Sequence, residues 1–566
     1  MCTTMIITKG ATIDGSMIVA HSDDNELADQ RIIYVPALNH EAGSMRKIFK
    51  ESYYFPRLVT DDRGEGYNTE PVKTEPIGYI PQVEHTYAYI DGVYGIMNEH
   101  NLMIGECTCG AKYQPVYVTE EQAKKENIHI RLFYSQELSK IALERCKKAR
   151  EAIELMGKLI DEYGLYSTGE TLLVADENEA WVFEMCALPL EVYHSAWVAR
   201  RVPDGYVFVA ANQFRIREID TDNKNDFIFS KLLKPGLKEL KWWNEEQGQI
   251  DWLKAVSMGE YNHPYYSLRR VWRVFDRVNP DLCLSPWVED GFTKDYPFAI
   301  QGNRKLNIHD IFSLYRDHYE GTQFDLTQGI AAGPYGDPSR FLGAYDNSGD
   351  VANKAISGAW ERPISVFYQG YTQVTQIRPQ APNVTKGLVW MGMDIAYTTC
   401  FVPFSTQVTN MPKAYQTGSG QKYDRYTAWW PFDFVANWAR LNYKRMTEVD
   451  IKPLQKQIEE LEWKLIHEWD EECREMSDEE AIQFITKICH DNSESVLKKW
   501  RDLGDMLIAK YSDGFCNLDL NSNKQPLVTD RNIVPAVNIG YSSTWLNHTN
   551  YYKGSITYNM CPGKNQ

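Results

Sequence analysis

A chain of 566 residues, 43% hydrophobic and 24% charged, has material for a large core and length for roughly three or four domain-sized units. Its formal net charge of −17 excludes the basic surface that nucleic-acid phosphates require. No run of about 20 apolar residues could span a bilayer; the first 30 residues carry no basic segment followed by an apolar stretch, and the 11 scattered cysteines form no disulfide framework, so a cytoplasmic enzyme with reduced thiols is expected.

The chain opens Met1-Cys2-Thr3-Thr4. The small side chain at position 2 favours removal of Met1, which would place a thiol and a free α-amine on one residue. With ordinary pKa values of about 8.5 and about 7.7–8.0, the two are matched for proton transfer near neutral pH. Taken alone, Cys2 also reads as a tolerated small residue. Met5–Ile7, a Gly10 turn and Asp14-Gly15 before Met17–Ala20 predict strand, turn and strand. Thr86–Ile90 and Gly92–Met97 predict another such pair. Glu120–Tyr163 has helical spacing, broken near Gly164. Strands are expected at Thr171–Ala175, Ala180–Met185 and Tyr206–Ala211, then helices at Leu268–Val278 and Asn307–Tyr319. The Gly329–Pro338 stretch has the composition of an ordered loop. Strands return at Ile364–Tyr368, Thr372–Ile377 and Leu388–Met391, and from Phe432 to Lys510 the pattern is helical and charged. Strands joined by tight turns, followed by helices, predict an α+β sandwich rather than a doubly wound parallel sheet.

Several segments have the look of sites without their chemistry. Cys107-Thr108-Cys109 lacks a second metal pair at zinc-finger spacing and reads as buried free cysteines. His467-Glu468-x-Asp470-Glu471 lacks the second histidine of a zinc protease and reads as a solvated helix face. Gly418-Ser419-Gly420 lacks the Lys and Ser/Thr of a phosphate loop and reads as a turn. Asn383-x-Thr385 and Asn547-x-Thr549 are glycosylation-like triplets, irrelevant in the expected compartment.

An ordered set of segments carries a resemblance. It comprises Cys2-Thr3-Thr4, Gly10-Ala11-Thr12-x-Asp14-Gly15-Ser16, Ala20-His21-Ser22-Asp23-Asp24, Gly95-Ile96-Met97-Asn98-Glu99-x-x-Leu102-x-Ile104-Gly105-Glu106 and Thr171–Glu184. Ala210-Ala211-Asn212-Gln213, Arg270-Val271-Trp272-Arg273, Ala332–Pro338 and Arg362-Pro363-Ile364-Ser365 follow. The chain resembles the cysteine dipeptidase family of N-terminal-nucleophile hydrolases, of dipeptidase A type, related to choloylglycine hydrolases and penicillin V acylases. The resemblance spans about residues 2–425 and more weakly the helical tail.

What it implies is a four-layer αββα sandwich with Cys2 at the end of a central strand. It divides the chain into a catalytic domain with insertions (1–425) and a helical C-terminal region packed on it (426–566). Cys2 would attack the scissile carbonyl of a dipeptide, directly or helped by its own amine, through an acyl-enzyme, with no metal or cofactor. Asp24 matches the carboxylate that orients the cysteine and its ammonium, with Asp23 adjacent; alone it reads as a turn or cap residue. His21 stands where relatives more often carry arginine. Asn212 matches an oxyanion-hole amide, and Thr108 falls near a second oxyanion position. Arg270 matches an arginine near the nucleophile, able to stabilise thiolate and orient Asp24, with Arg269 and Arg273 read as surface residues. Arg362 or Arg340 is a candidate clamp for the substrate carboxylate, against the alternative of a structural ion pair. A homo-oligomer is compatible with this reading; a membrane or nucleic-acid partner is not. Two alternatives stay open: an amidase acting on non-peptide acyl amides of bile-salt or penicillin type, and a non-catalytic scaffold of the same fold.

Overall fold

The computed structural model describes residues 1–548 except 26–27, 70, 127, 129, 193, 262–263, 341–361, 513, 517–536, 539 and 542. Thr549 of the second glycosylation-like triplet therefore lies outside the described residues, as do parts of the 426–566 region.

Two antiparallel sheets, one seven-stranded and one eight-stranded, form the body. In chain order their strands are β1 (Cys2–Ile7), β2 (Met17–Asp23), β3 (Ile33–Val35), β4 (Tyr89–Asp91), β5 (Gly95–Asn98), β6 (Met103–Cys109), β7 (Gly169–Ala175) and β8 (Ala180–Ala187). They continue with β9 (Ser195–Val202), β10 (Tyr206–Ala210), β11 (Phe227–Phe229), β12 (Ala299–Gln301), β13 (Tyr371–Ile377), β14 (Gly387–Met393) and β15 (Val402–Ser405). The seven-stranded sheet has the order β12-β10-β1-β2-β13-β14-β15, and the eight-stranded sheet β11-β9-β8-β7-β6-β5-β4-β3. The principal helices are α1 (Glu120–Glu126), α2 (Ser135–Arg145), α3 (Ala149–Tyr163), α4 (Leu268–Val278), α5 (Ile308–Tyr315), α6 (Trp430–Ala439), α7 (Lys452–Arg474) and α8 (Asp478–Lys510).

β1 and β2 are buried along their whole length because both faces are covered. On one side β1 meets β6 and β7 of the other sheet. The closest approach is at Gly105, where a Cβ would stand 2.9 Å from Thr4 Oγ1 and 3.0 Å from Val19 Cγ1. Glycine there lets β6 lie close against β1 and β2, which brings Glu106 within reach of Cys2. On the other side Phe312 of α5 stacks on Phe401 with ring centroids 4.1 Å apart, and Tyr315 donates to the Thr3 carbonyl at 3.0 Å. Against the eight-stranded sheet, α2 and α3 supply Leu138, Ile141, Ile153 and Met156 to a core shared with Ile104, Leu172 and Phe183.

The helical C-terminal region is fastened to the seven-stranded sheet by buried charges. Asp470 of α7 accepts two hydrogen bonds from Arg378, each 2.8 Å, and one from Thr385 Oγ1 at 2.5 Å. Glu459 of the same helix takes Arg316 and the Phe401 amide. Asp470→Ala is expected to destabilise the protein by about 3–5 kcal/mol, since it strands Arg378 as an uncompensated buried charge. A fall in the urea midpoint is the readout, and an unchanged midpoint would contradict that role.

Four readings need correction. The 120–163 stretch is three helices rather than one continuous pattern; Asn98 Nδ2 donates to the carbonyls of Leu143 and Cys146, at 2.9 and 2.8 Å, and so closes α2. Residues 364–368 are bends and turns, not a strand. After Pro363 the backbone instead bonds outward, Ser365 N to the Asp317 carbonyl at 3.1 Å. Arg269 and Arg273 are buried rather than on the surface, because α4 lies between the sheet and the segment around Phe324. Asp470 is likewise buried, although His467 on the same helix is exposed.

Candidate active site

Cys2 starts β1, and the antiparallel register sets Asp23 opposite Cys2 and His21 opposite Thr4. Cross-strand partners point to the same side of a sheet, so Cys2, Thr4, His21 and Asp23 share a face. Cys2 Sγ donates to Glu106 Oε2 at 3.1 Å. His21 Nε2 lies 3.6 Å from the same oxygen, and its ring stands edge-on to Tyr94 and Tyr371. Glu106 Oε1 accepts from Thr108 Oγ1 at 2.8 Å. The Cys2 sulfur, a His21 ring nitrogen and a Glu106 oxygen all lie within 4.8 Å of one another, the residues here that could hold a metal ion.

A second carboxyl backs the first. Glu170 of β7 accepts from Tyr134 Oη at 2.6 Å and hydrogen-bonds Glu106. Burial and the neighbouring Glu106 charge push the Glu170 carboxyl well up. Burial also pushes Glu106 upward, but the His21 imidazole 3.6 Å away and a hydrogen bond with Glu170 outweigh it and hold that carboxyl below its ordinary range. Burial, then Glu106, raises the Cys2 thiol well above its usual value. Asp23 is raised by burial to about 6 against the opposing pull of the Met1 ammonium and His21.

Arg270 ties the strand end to the turn after β10. Its guanidinium donates to the Cys2 carbonyl (2.9 Å), Thr3 Oγ1 (3.0 Å), the Ala211 carbonyl (3.2 Å) and Asn212 Oδ1 (2.8 Å). Asn212 has φ +62, a left-handed conformation that asparagine tolerates better than most residues. With Oδ1 turned to Arg270, its amide NH₂ donates to the Thr108 carbonyl at 2.8 Å. The Asn212 backbone N–H meets Cys107 Sγ at 2.9 Å, and Cys107 and Cys109 are buried and free, as read from sequence.

Asp24 follows β2; its N–H donates to the Met1 carbonyl at 2.9 Å, and its own carbonyl accepts from the Met1 ammonium at 3.5 Å. Its Oδ2 is ion-paired with Arg362, which is itself buried beneath the rings of Tyr266 and Tyr368. Arg362 thus occupies the structural alternative to a substrate clamp, and Arg270 engages Asn212 rather than the Asp24 side chain. Arg340 donates to the carbonyls of Leu326, Asp337 and Ser339, so it pins the 329–338 loop and has no hydrogen bond to the Cys2 cluster among the described residues. The structure brings together Cys2, His21, Asp24, Thr108, Asn212, Arg270 and Arg362. Glu106 and Glu170 were missed as site residues; the visible signal was a lone carboxylate inside the apolar strands Met103–Cys109 and Gly169–Ala175.

The model of the family described as peptidase family C69 matches residues 1–457 of this chain. A probable dipeptidase of Latilactobacillus sakei is 24% identical over 522 residues, covering 90% of this chain and 95% of that protein. Dipeptidase A of Lactobacillus helveticus is 24% identical over 529 residues, covering 90% and 98% respectively. A dipeptidase of Bifidobacterium longum is 25% identical over 430 residues, covering 73% and 72%.

Proposed function

The chain belongs to peptidase family C69, and from that premise we propose that it is a cytoplasmic dipeptidase whose nucleophile is Cys2, exposed by removal of Met1. The observation that carries this reading is a single buried arginine, Arg270, bonded both to the Cys2 carbonyl and to Asn212 Oδ1. One side chain thereby fixes a thiol and an amide donor relative to each other. The two facing sheets with helices outside them support an αββα sandwich of the N-terminal-nucleophile type. The buried charges on α7 support a catalytic body of residues 1–425 with residues 426–566 packed on it. Consistent with a soluble enzyme, no helix among the described residues is long and apolar enough to cross a membrane.

In the proposed reaction the Cys2 thiol passes its proton to Glu106 Oε2, 3.1 Å away, as sulfur adds to the peptide carbonyl. The oxyanion then takes the second N–H of the Asn212 amide, whose first is fixed on Thr108 O. Arg270 and the Asp24–Arg362 pair are positioning residues that hold the strand end and the new α-amine. That amine protonates the leaving nitrogen, and the acyl-enzyme is then hydrolysed.

A panel of dipeptides set against bile-salt and penicillin-type amides tests the substrate class. Dipeptide turnover is expected, and acyl-amide turnover without it would overturn the assignment. Asn212→Ala should lower kcat by about 10²–10³ with little change in KM, because the lost contact is made in the transition state. A rise in KM alone would remove Asn212 from the oxyanion hole.

A further inference from the structure

We propose that Cys2, His21 and Glu106 also form a zinc-binding site, through which Zn²⁺ reversibly blocks the enzyme; the blocking, though not the binding, rests on the dipeptidase reading above. The three side chains offer one sulfur, one imidazole nitrogen and one carboxylate oxygen, all within 4.8 Å of one another. Zinc bond lengths of about 2.3 Å to sulfur and about 2.0–2.2 Å to nitrogen and oxygen place tetrahedral ligand atoms about 3.4–3.6 Å apart. The observed separations are 3.1 Å for sulfur to oxygen and 3.6 Å for nitrogen to oxygen, within about half an ångström of those two edges, and the sulfur and nitrogen lie within 4.8 Å of each other.

A second observation points to a ligand. Both ring nitrogens of the fully buried His21 lack a hydrogen-bond partner among the described residues, although burying such a group without one is unfavourable. A metal ion would satisfy the nitrogen that faces Glu106. Thr108 Oγ1 already holds the other Glu106 oxygen at 2.8 Å, the kind of outer contact that orients a ligating carboxylate. The donor set selects among cations: thiolate with imidazole suits zinc, whereas magnesium and calcium require a shell of oxygens.

Binding is an exchange. The Cys2 S–H proton is released, a sulfur–zinc bond forms, and the lone pair needed for attack on the carbonyl is occupied. Removal of Met1 adds a fourth donor, since the freed Cys2 amine closes a five-membered chelate with its own sulfur.

Calorimetric titration of the processed protein with Zn²⁺ should give one ion per chain. Co²⁺ in its place should show thiolate-to-metal charge-transfer absorption. His21→Ala and Glu106→Gln should each weaken zinc binding by about tenfold or more, and alkylation of Cys2 in the folded wild type should abolish it. Dipeptide hydrolysis should fall with the same zinc midpoint and return with chelator. Unchanged zinc affinity after Cys2 alkylation, or cobalt bound without the sulfur band, would overturn the site. Normal binding in a protein that hydrolyses no dipeptide would retain the site and reject the catalytic reading instead.

Discussion

Replacing Cys2 by alanine is expected to reduce dipeptide hydrolysis by about 10⁴-fold or more, because no other group can carry the acyl intermediate. Cys107 is a neighbouring thiol, but its sulfur faces the Cys2 carbonyl and the Asn212 N–H from inside the core. The fold should survive. The substitution removes one donor from Glu106, which keeps Thr108 Oγ1 and the Glu170 hydrogen bond, so the stability loss should stay within about 1–3 kcal/mol. Initial rates on a good dipeptide, with thermal melting on the same sample, separate the two effects. Cys2→Ser should fall between wild type and alanine, since the hydroxyl keeps the geometry but ionises far less readily. Full activity in Cys2→Ala would end the thiol mechanism.

Local patterns were legible where local forces decide. The β1–β2 pair follows from apolar runs around the Asp14-Gly15 turn, and α4 spans the predicted Leu268–Val278. Asn307 and Asp310 form a reciprocal capping box at the start of α5. The site was legible in part, because its residues were found through the ordered resemblance, while their pairings depend on contacts between distant segments. Arg362 was a candidate clamp because dipeptides end in carboxylates; the fold instead turns it onto Asp24, whose burial demands a counter-charge. The arginines of α4 misled for a related reason. A helix rich in arginine reads as exposed on one face, yet Arg269 lies over the Phe324 ring and Arg273 pairs with buried Asp317. Glu106 carried no pairing signal at all, since its partner Cys2 is 104 residues away in sequence.

A chain that keeps one residue ahead of Cys2 is expected to lose about 10²-fold or more in activity, the scale of a lost general acid–base group. With Met1 in place, the Cys2 nitrogen is an amide and can neither donate to a leaving group nor activate water. Met1 also engages two neighbouring donors. The Asp24 N–H donates to its carbonyl at 2.9 Å, and Tyr266 Oη donates to its sulfur at 2.5 Å. Once Met1 is gone, both donors are released and the Cys2 ammonium enters a pocket framed by Asp23, Asp24 and Glu106. Despite burial, the Cys2 side chain and those same carboxylates now hold the Met1 ammonium charged up to about 11. The direct comparison uses one preparation carrying a protease-removable leader, assayed before and after cleavage to Cys2, with the N-terminus read by mass spectrometry. Activity should appear in proportion to the cleaved fraction. Full activity with the leader attached would leave Glu106 as the sole proton acceptor and remove the α-amine from the mechanism.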